Sequence, residues 1–149
     1  MTVLIRTEGA PTNIDITALT KRADELLSIL GRDDGELSIF LADDDVIARL
    51  NREYLGRSGP TNVLSFSSGE NPHIGLDILG DIAISYDTAA RQADDRGVSL
   101  LDEITILLVH GLLHLLGHIH DSREGATDED RRLMESEESR LLDLFGISL

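Results

Sequence analysis

From Ile104 to Leu116 the chain is apolar nearly all round: Ile104, Ile106, Leu107, Leu108, Val109, Leu112, Leu113, Leu115 and Leu116 leave almost no polar face. A helix of that composition has to be buried, so the rest of the chain must pack around it. The same run carries His110 and His114, four residues apart and therefore on one face of the helix. Two imidazoles on a buried face cost free energy unless both find partners, and one shared metal ion satisfies both. The run is interrupted by His110, Gly111 and His114 and falls short of the about 20 residues that a membrane span needs.

The residues just beyond the helix extend the metal reading. Gly117 can leave the helix in a left-handed conformation, and the turn then carries His120 back toward His110 and His114. Three neutral imidazoles suit Zn2+, one ion per chain, and three protein ligands leave a fourth position open, as in catalytic rather than structural sites. The spacing resembles H-E-x-x-H-x-x-G-x-x-H of the metzincin peptidases, which need the glutamate as general base. This chain has Gly111 there. A peptidase lacks its base, and the pattern favours a metal hydrolase that takes its proton transfers elsewhere.

With 149 residues the chain suits one domain, 1–149, burying roughly 70% of its unfolded surface. The N-terminus, Met-Thr-Val-Leu-Ile-Arg, has no basic region followed by a long apolar run. The chain has no cysteine, which excludes disulfides and thiolate zinc sites and makes the cytoplasm the expected compartment, with no membrane association. The net charge of −15 argues against a nucleic-acid partner, since such proteins usually carry a basic footprint. The basic residues are uneven, however: seven of the thirteen lie at or before Arg57, while acids crowd the C-terminal part. A polyanion would have to approach a local basic patch, in a salt-sensitive way.

Periodicity predicts a strand over Thr2–Thr7 and a helix over Asp15–Leu30, with Ile16, Leu19, Ala23, Leu26, Leu27 and Leu30 on its apolar stripe and Gly31 as its stop. Glu36–Leu41 alternates as a strand does. The run Asp43-Asp44-Asp45 either binds a cation or, the reading preferred, caps a helix with the stripe Val46, Ile47, Leu50 and Tyr54. Strands at Asn62–Phe66 and Leu79–Ile84 flank a glycine- and proline-bearing loop over Ser67–Asp77. A helix from Ser85 or Asp87 to near Gly97 follows, then the histidine helix capped by Ser99, then a last helix using Leu133, Met134, Leu141, Leu142 and Leu144. The order β-α-β-α-β-β-α-α-α predicts an α+β domain. The first two strands should be parallel and the last two antiparallel, in a small mixed sheet with helices packed on it and the histidine helix central and buried.

Several separate segments also resemble one family. His110-Gly-Leu-Leu-His114-Leu-Leu-Gly-His118-Ile-His120 is similar to the H-G-x-L-H-L-x-G-x-D-H signature of the YbeY family of bacterial rRNA maturation factors. Leu50-Asn51-Arg52-Glu53-Tyr54 resembles its L-N-x-x-Y, Pro60–Phe66 its P-T-D/N-V-L-S-F, and Leu79–Ser85 its L-G-D-I-x-I-S. Met134 and Glu138 fall where the last helix of the family carries M-x-x-x-E. The resemblance implies a zincin-like α+β fold and a zinc-dependent single-strand endoribonuclease. Such an enzyme would act in rRNA maturation, notably at the 3′ end of the small-subunit RNA, and in ribosome quality control. His110, His114 and His120 would be the metal ligands.

Two departures bear on chemistry. The family usually has an arginine important for RNA cleavage directly after the tyrosine, where this chain has Leu55. Arg57, two residues on, either supplies that charge as a catalytic residue or is a solvated loop residue. Ile119 stands where the family has aspartate; Asp121 either replaces it as a partner orienting an imidazole or caps the next helix. His118 flanks the cleft, because a fourth ligand would close the site. Thr61, Asn62 and Ser65 are either polar contacts near the cleft or strand-capping and turn residues. In the leading reading zinc polarises a phosphoryl oxygen, and the nucleophile is either its water or the neighbouring 2′-hydroxyl. The alternative is a non-catalytic ribosome-assembly factor with a structural zinc, whose acidic surface meets basic ribosomal proteins.

Overall fold

The computed structural model describes residues 2–9, 14–33, 35–59, 61–67, 77–118, 120 and 124–149, and within them the elements follow the expected order. Strands β1 (Thr2–Glu8), β2 (Gly35–Ala42), β3 (Val63–Ser67) and β4 (Asp77–Ser85) form a sheet in the order β1-β2-β4-β3. β1 and β2 are parallel and β3 and β4 antiparallel, as the sequence predicts, and β2 also pairs parallel with β4. Pro60, Ile119, Asp121 and the body of the loop expected over Ser67–Asp77 lie outside the described residues.

Helices α1 (Ile16–Ile29), α2 (Asp44–Leu55), α3 (Tyr86–Arg96), α4 (Leu100–Leu115) and α5 (Asp128–Asp143) each begin at a side-chain cap, in order Asp15, Asp43, Ser85, Ser99 and Thr127. Each cap oxygen accepts a backbone N–H of the first turn, one of the donors a helix start leaves unpaired. No single helix among the described residues is long and apolar enough to cross a membrane.

Strand alternation gives the sheet two packed faces. Leu37, Ile39, Leu41, Ile82 and Ile84 join Leu19, Ala23, Leu26 and Leu27 of α1, most of α4, and Met134, Leu141 and Leu142 of α5 in the main core. On the opposite face Ala42, Leu64 and Ala83 pack with Ile47 of α2. α4 is the central element, buried continuously from Glu103 to Val109 and again from Gly111 to Leu113. Its one buried acid, Glu103, is fully enclosed and receives the guanidinium of Arg96, Nε to Oε2 at 2.9 Å.

Gly80 makes the β2–β4–β3 seam possible. The β2–β4 register skips a residue opposite Glu36/Leu37, a bulge, and Gly80 adopts φ +138°. A Cβ there would sit 2.2 Å from the Phe66 carbonyl oxygen, so only glycine serves.

Four stripe assignments need correction. Ile16 (37% exposed), Tyr54 (67%), Leu133 (56%) and Leu144 (46%) are exposed. Ile16 and Tyr54 stand at helix ends, where the turn overruns the surface it covers. Leu133 falls off the narrow Met134–Leu141–Leu142 stripe, and Leu144 lies past the end of α5. In α2 the buried place one turn after Ile47 belongs to Asn51.

The aspartate run acts as a clasp. Asp43 caps α2, while Asp44 accepts hydrogen bonds from Ser85, from Thr88 (2.7 Å) and from Arg91 (2.9 Å), tying α2 to α3. Burial pushes the Asp44 carboxyl up, but the hydrogen bonds from Ser85, Thr88 and Arg91, with the Arg91 charge, outweigh it and hold the group below its ordinary value. A lowered carboxylate pKa stabilises the fold above the unfolded value and loses that contribution as pH falls through the folded one. Asp44→Asn is therefore expected to cost about 1–2 kcal/mol at neutral pH. Urea unfolding of both proteins should show the gap closing as the pH drops below the ordinary aspartate value of 3.8.

Candidate metal centre

α4 delivers its two histidines at the last turns of a helix fixed on every side. His110 and His114 face each other, with Nε2 atoms 3.2 Å apart. The helix then ends in a left-handed turn: Gly117 has φ +99°, His118 N–H donates to Leu113 C=O (3.0 Å) and Gly117 N–H to His114 C=O (3.0 Å). This pair of bonds is the Schellman arrangement, and it redirects the chain so that His120 returns to the other two. The His120 ring centroid lies 4.7 Å from that of His110 and 4.8 Å from that of His114. One ring nitrogen from each of the three falls within 4.8 Å of the others.

The donor set passes a physical test for a cation. His110 Nδ1 stands 3.6 Å from Glu138 Oε1 on α5, a contact that favours the proton on Nδ1 and leaves Nε2 a lone pair. Burial, reinforced by the charges of His110 and His120, pushes the His114 imidazole below its ordinary pKa, against Glu124 and a backbone hydrogen bond with His118. The neutral, ligating form of His114 is thereby favoured. At 3.2 Å the two Nε2 atoms either share one proton as an N–H to N hydrogen bond or both turn lone pairs to a cation between them. Two nitrogens at about 2.0–2.1 Å from one tetrahedral zinc would be about 3.3 Å apart, close to the spacing seen here.

The histidines open into a cleft of about 450 Å³. Thr61 and Asn62 with Val63–Ser65 of β3 form one wall, and Leu55, Arg57, His118 and Glu124 also line the cleft. Arg57 thus shares the cleft with the histidines. Its loop is tied to α2: Arg57 N–H donates to Asn51 C=O (3.2 Å), and Asn51 Nδ2 donates to the Gly59 carbonyl (3.0 Å). Leu55 lines the same cleft. Ser65 is turned to the scaffold, its hydroxyl donating to Gly111 C=O at 3.0 Å, and Asn62 Nδ2 donates to Gln92 at 3.4 Å. His118 flanks the opening and stands outside the three-histidine group.

Gly111 shows why a peptidase base is missing. A Cβ there would meet Ile82 Cγ2 and Ser65 Oγ at 3.0 Å and Val63 Cγ2 at 3.2 Å. The position faces the sheet, and a glutamate would be driven into β3 and β4.

Glu124 is the cleft residue that sequence reasoning passed over. It stood among the acids that crowd the C-terminal part, and no periodicity marks it as a cleft residue.

The model of the family described as Endoribonuclease YbeY matches residues 5–146. The chain belongs to the YbeY family. Among its YbeY relatives, Endoribonuclease YbeY of Syntrophus aciditrophicus is 38% identical over 147 residues, covering 97% of this chain and 90% of that protein. Endoribonuclease YbeY of Geobacter sulfurreducens is 43% identical over 129 residues, 85% of this chain and 84% of that one. The solution structure of TM1509 from Thermotoga maritima superposes with a TM-score of 0.58 at 22% identity, over 95% of this chain and 91% of the other, which shows a shared fold. Membership in the YbeY family thus rests on nearly the whole chain as well as on the histidine segment.

Proposed function

We propose that this chain is a metal-dependent endoribonuclease that cuts single-stranded RNA in ribosomal RNA maturation, with His110, His114 and His120 holding one zinc ion. The reading rests on the convergence of three imidazoles at an open cleft in a chain whose relatives are named endoribonucleases. Zinc held there would supply Lewis acidity toward a phosphoryl oxygen and acidify water. The chain's own residues prepare the site: Glu138 orients His110, and burial keeps His114 unprotonated, so few protons compete with the metal near neutral pH. Arg57 stabilises charge developing on the phosphate, in the role expected of the family arginine. Residues 49–57 carry Arg49, Arg52 and Arg57 against the single acid Glu53, a local basic stretch by which a polyanion approaches a chain of net charge −15. Binding should therefore weaken steeply with salt. The unit spans residues 1–149 and works in the cytoplasm.

A second reading is a non-catalytic assembly factor with a structural zinc, binding ribosomal RNA and basic ribosomal proteins. Leu55 favours it, lining the cleft where the family carries its cleavage arginine. The test is metal removal. Chelator-treated protein should lose cleavage of an end-labelled single strand and regain it with added zinc, leaving a duplex intact. Cleavage that survives complete metal removal contradicts the proposal, and RNA bound but uncut by the zinc form favours the second reading.

A further inference from the structure

We propose that Tyr54 is a stacking platform for a nucleobase of the bound RNA strand, beside the cleft; the inference deepens the endoribonuclease reading and rests on it. The chain is poor in aromatics, with two tyrosines, three phenylalanines and no tryptophan. Tyr86 is buried, and Phe40, Phe66 and Phe145 are partly buried against the two cores. Tyr54 alone among them is mostly exposed, at 67%.

A single exposed apolar side chain is ordinary, and Leu4 and Leu149 are others. Tyr54 differs in being held and in where it is held. Its ring meets Phe66 edge-on, with centroids 5.9 Å apart at 72°, so the ring is braced while most of its surface stays open. Phe66 continues β3, whose preceding residues wall the cleft, and the next residue after Tyr54, Leu55, lines that cleft together with Arg57. Tyr54 therefore stands one residue outside the site. Arg57, three residues on and lining the cleft, makes no ion pair among the described residues, whereas Arg22, Arg91, Arg96, Arg131 and Arg140 are each paired with a carboxylate.

A cleft guanidinium three residues from an exposed aromatic matches the two halves of a nucleotide. Proteins that bind single strands combine cations along the phosphates with aromatic rings on which unpaired bases stack. A duplex keeps its bases stacked on one another and offers none to Tyr54, so the platform selects single strands.

The experiment uses Tyr54→Trp, which gives the zinc-loaded protein its sole tryptophan, with Tyr54→Ala and Tyr54→Phe alongside. A short single-stranded oligoribonucleotide should quench the tryptophan, while inorganic polyphosphate and the same strand carrying abasic sites should not. Tyr54→Ala should weaken RNA binding, and raise KM, by about tenfold or more, with the thermal midpoint unchanged and Tyr54→Phe close to the wild type. Polyphosphate quenching equal to that by RNA, or wild-type affinity in Tyr54→Ala, overturns the proposal. Cleavage with a KM indifferent to Tyr54→Ala removes the platform and leaves the nuclease reading standing. Tyr54-dependent binding without cleavage removes the nuclease reading and keeps the platform.

Discussion

His110→Ala is expected to abolish stoichiometric zinc binding and reduce RNA cleavage to background. The reason is geometric. His110 and His114 hold their Nε2 atoms 3.2 Å apart on a helix that cannot yield, because α4 is buried against the sheet, α1 and α5. Removing one imidazole leaves two donors, of which His120 is exposed on a turn. Glu138→Gln gives the graded control. It keeps the ligands but loses the charge 3.6 Å from His110 Nδ1, so zinc affinity should fall by about tenfold, the weak end of the about 10–100-fold typical of such partners. Competition titration against a zinc chelator ranks the three proteins. Equal affinity in His110→Ala and the wild type would show that the metal, if any, lies elsewhere.

Arg96→Ala should destabilise the fold by about 3 kcal/mol. Glu103 is fully buried, and the Arg96 guanidinium at 2.9 Å is the cation that compensates it. Truncating Arg96 leaves an enclosed carboxylate unpaired, and the cost falls at the low end of the usual range because Arg96 is itself partly open to water. The double variant Arg96→Met/Glu103→Leu should recover most of the loss, since the pair costs little to replace as a unit. Urea unfolding of the two variants and the wild type reads this directly. A double variant no better than Arg96→Ala would show that the loss comes from packing at the α3–α4 corner.

Much of the fold was legible because local signals agreed with one another. Capping residues stood at Asp15, Asp43, Ser85 and Ser99, glycines followed the helix ends, and the strands alternated. The clustering of the three histidines was legible for the same reason. A four-residue helical spacing followed by a glycine turn sets the positions of three side chains with little help from the rest of the chain. What escaped depended on distant partners. Position 51 is buried, with its side chain bonded to the Gly59 carbonyl, while Tyr54 is exposed, and no helical period encodes that exchange. Glu103 carries no local sign that Arg96 comes over it from α3. Glu124 lines the cleft, and nothing in its sequence neighbours marks it for that place.

The most direct measurement is cleavage of an end-labelled single-stranded RNA by zinc-loaded wild type beside His114→Ala purified identically. The mutant controls for any contaminating ribonuclease. A discrete set of products from the wild type and none from His114→Ala is the expected result. Equal cleavage by both proteins, or by neither, would contradict a zinc-dependent ribonuclease centred on these three histidines.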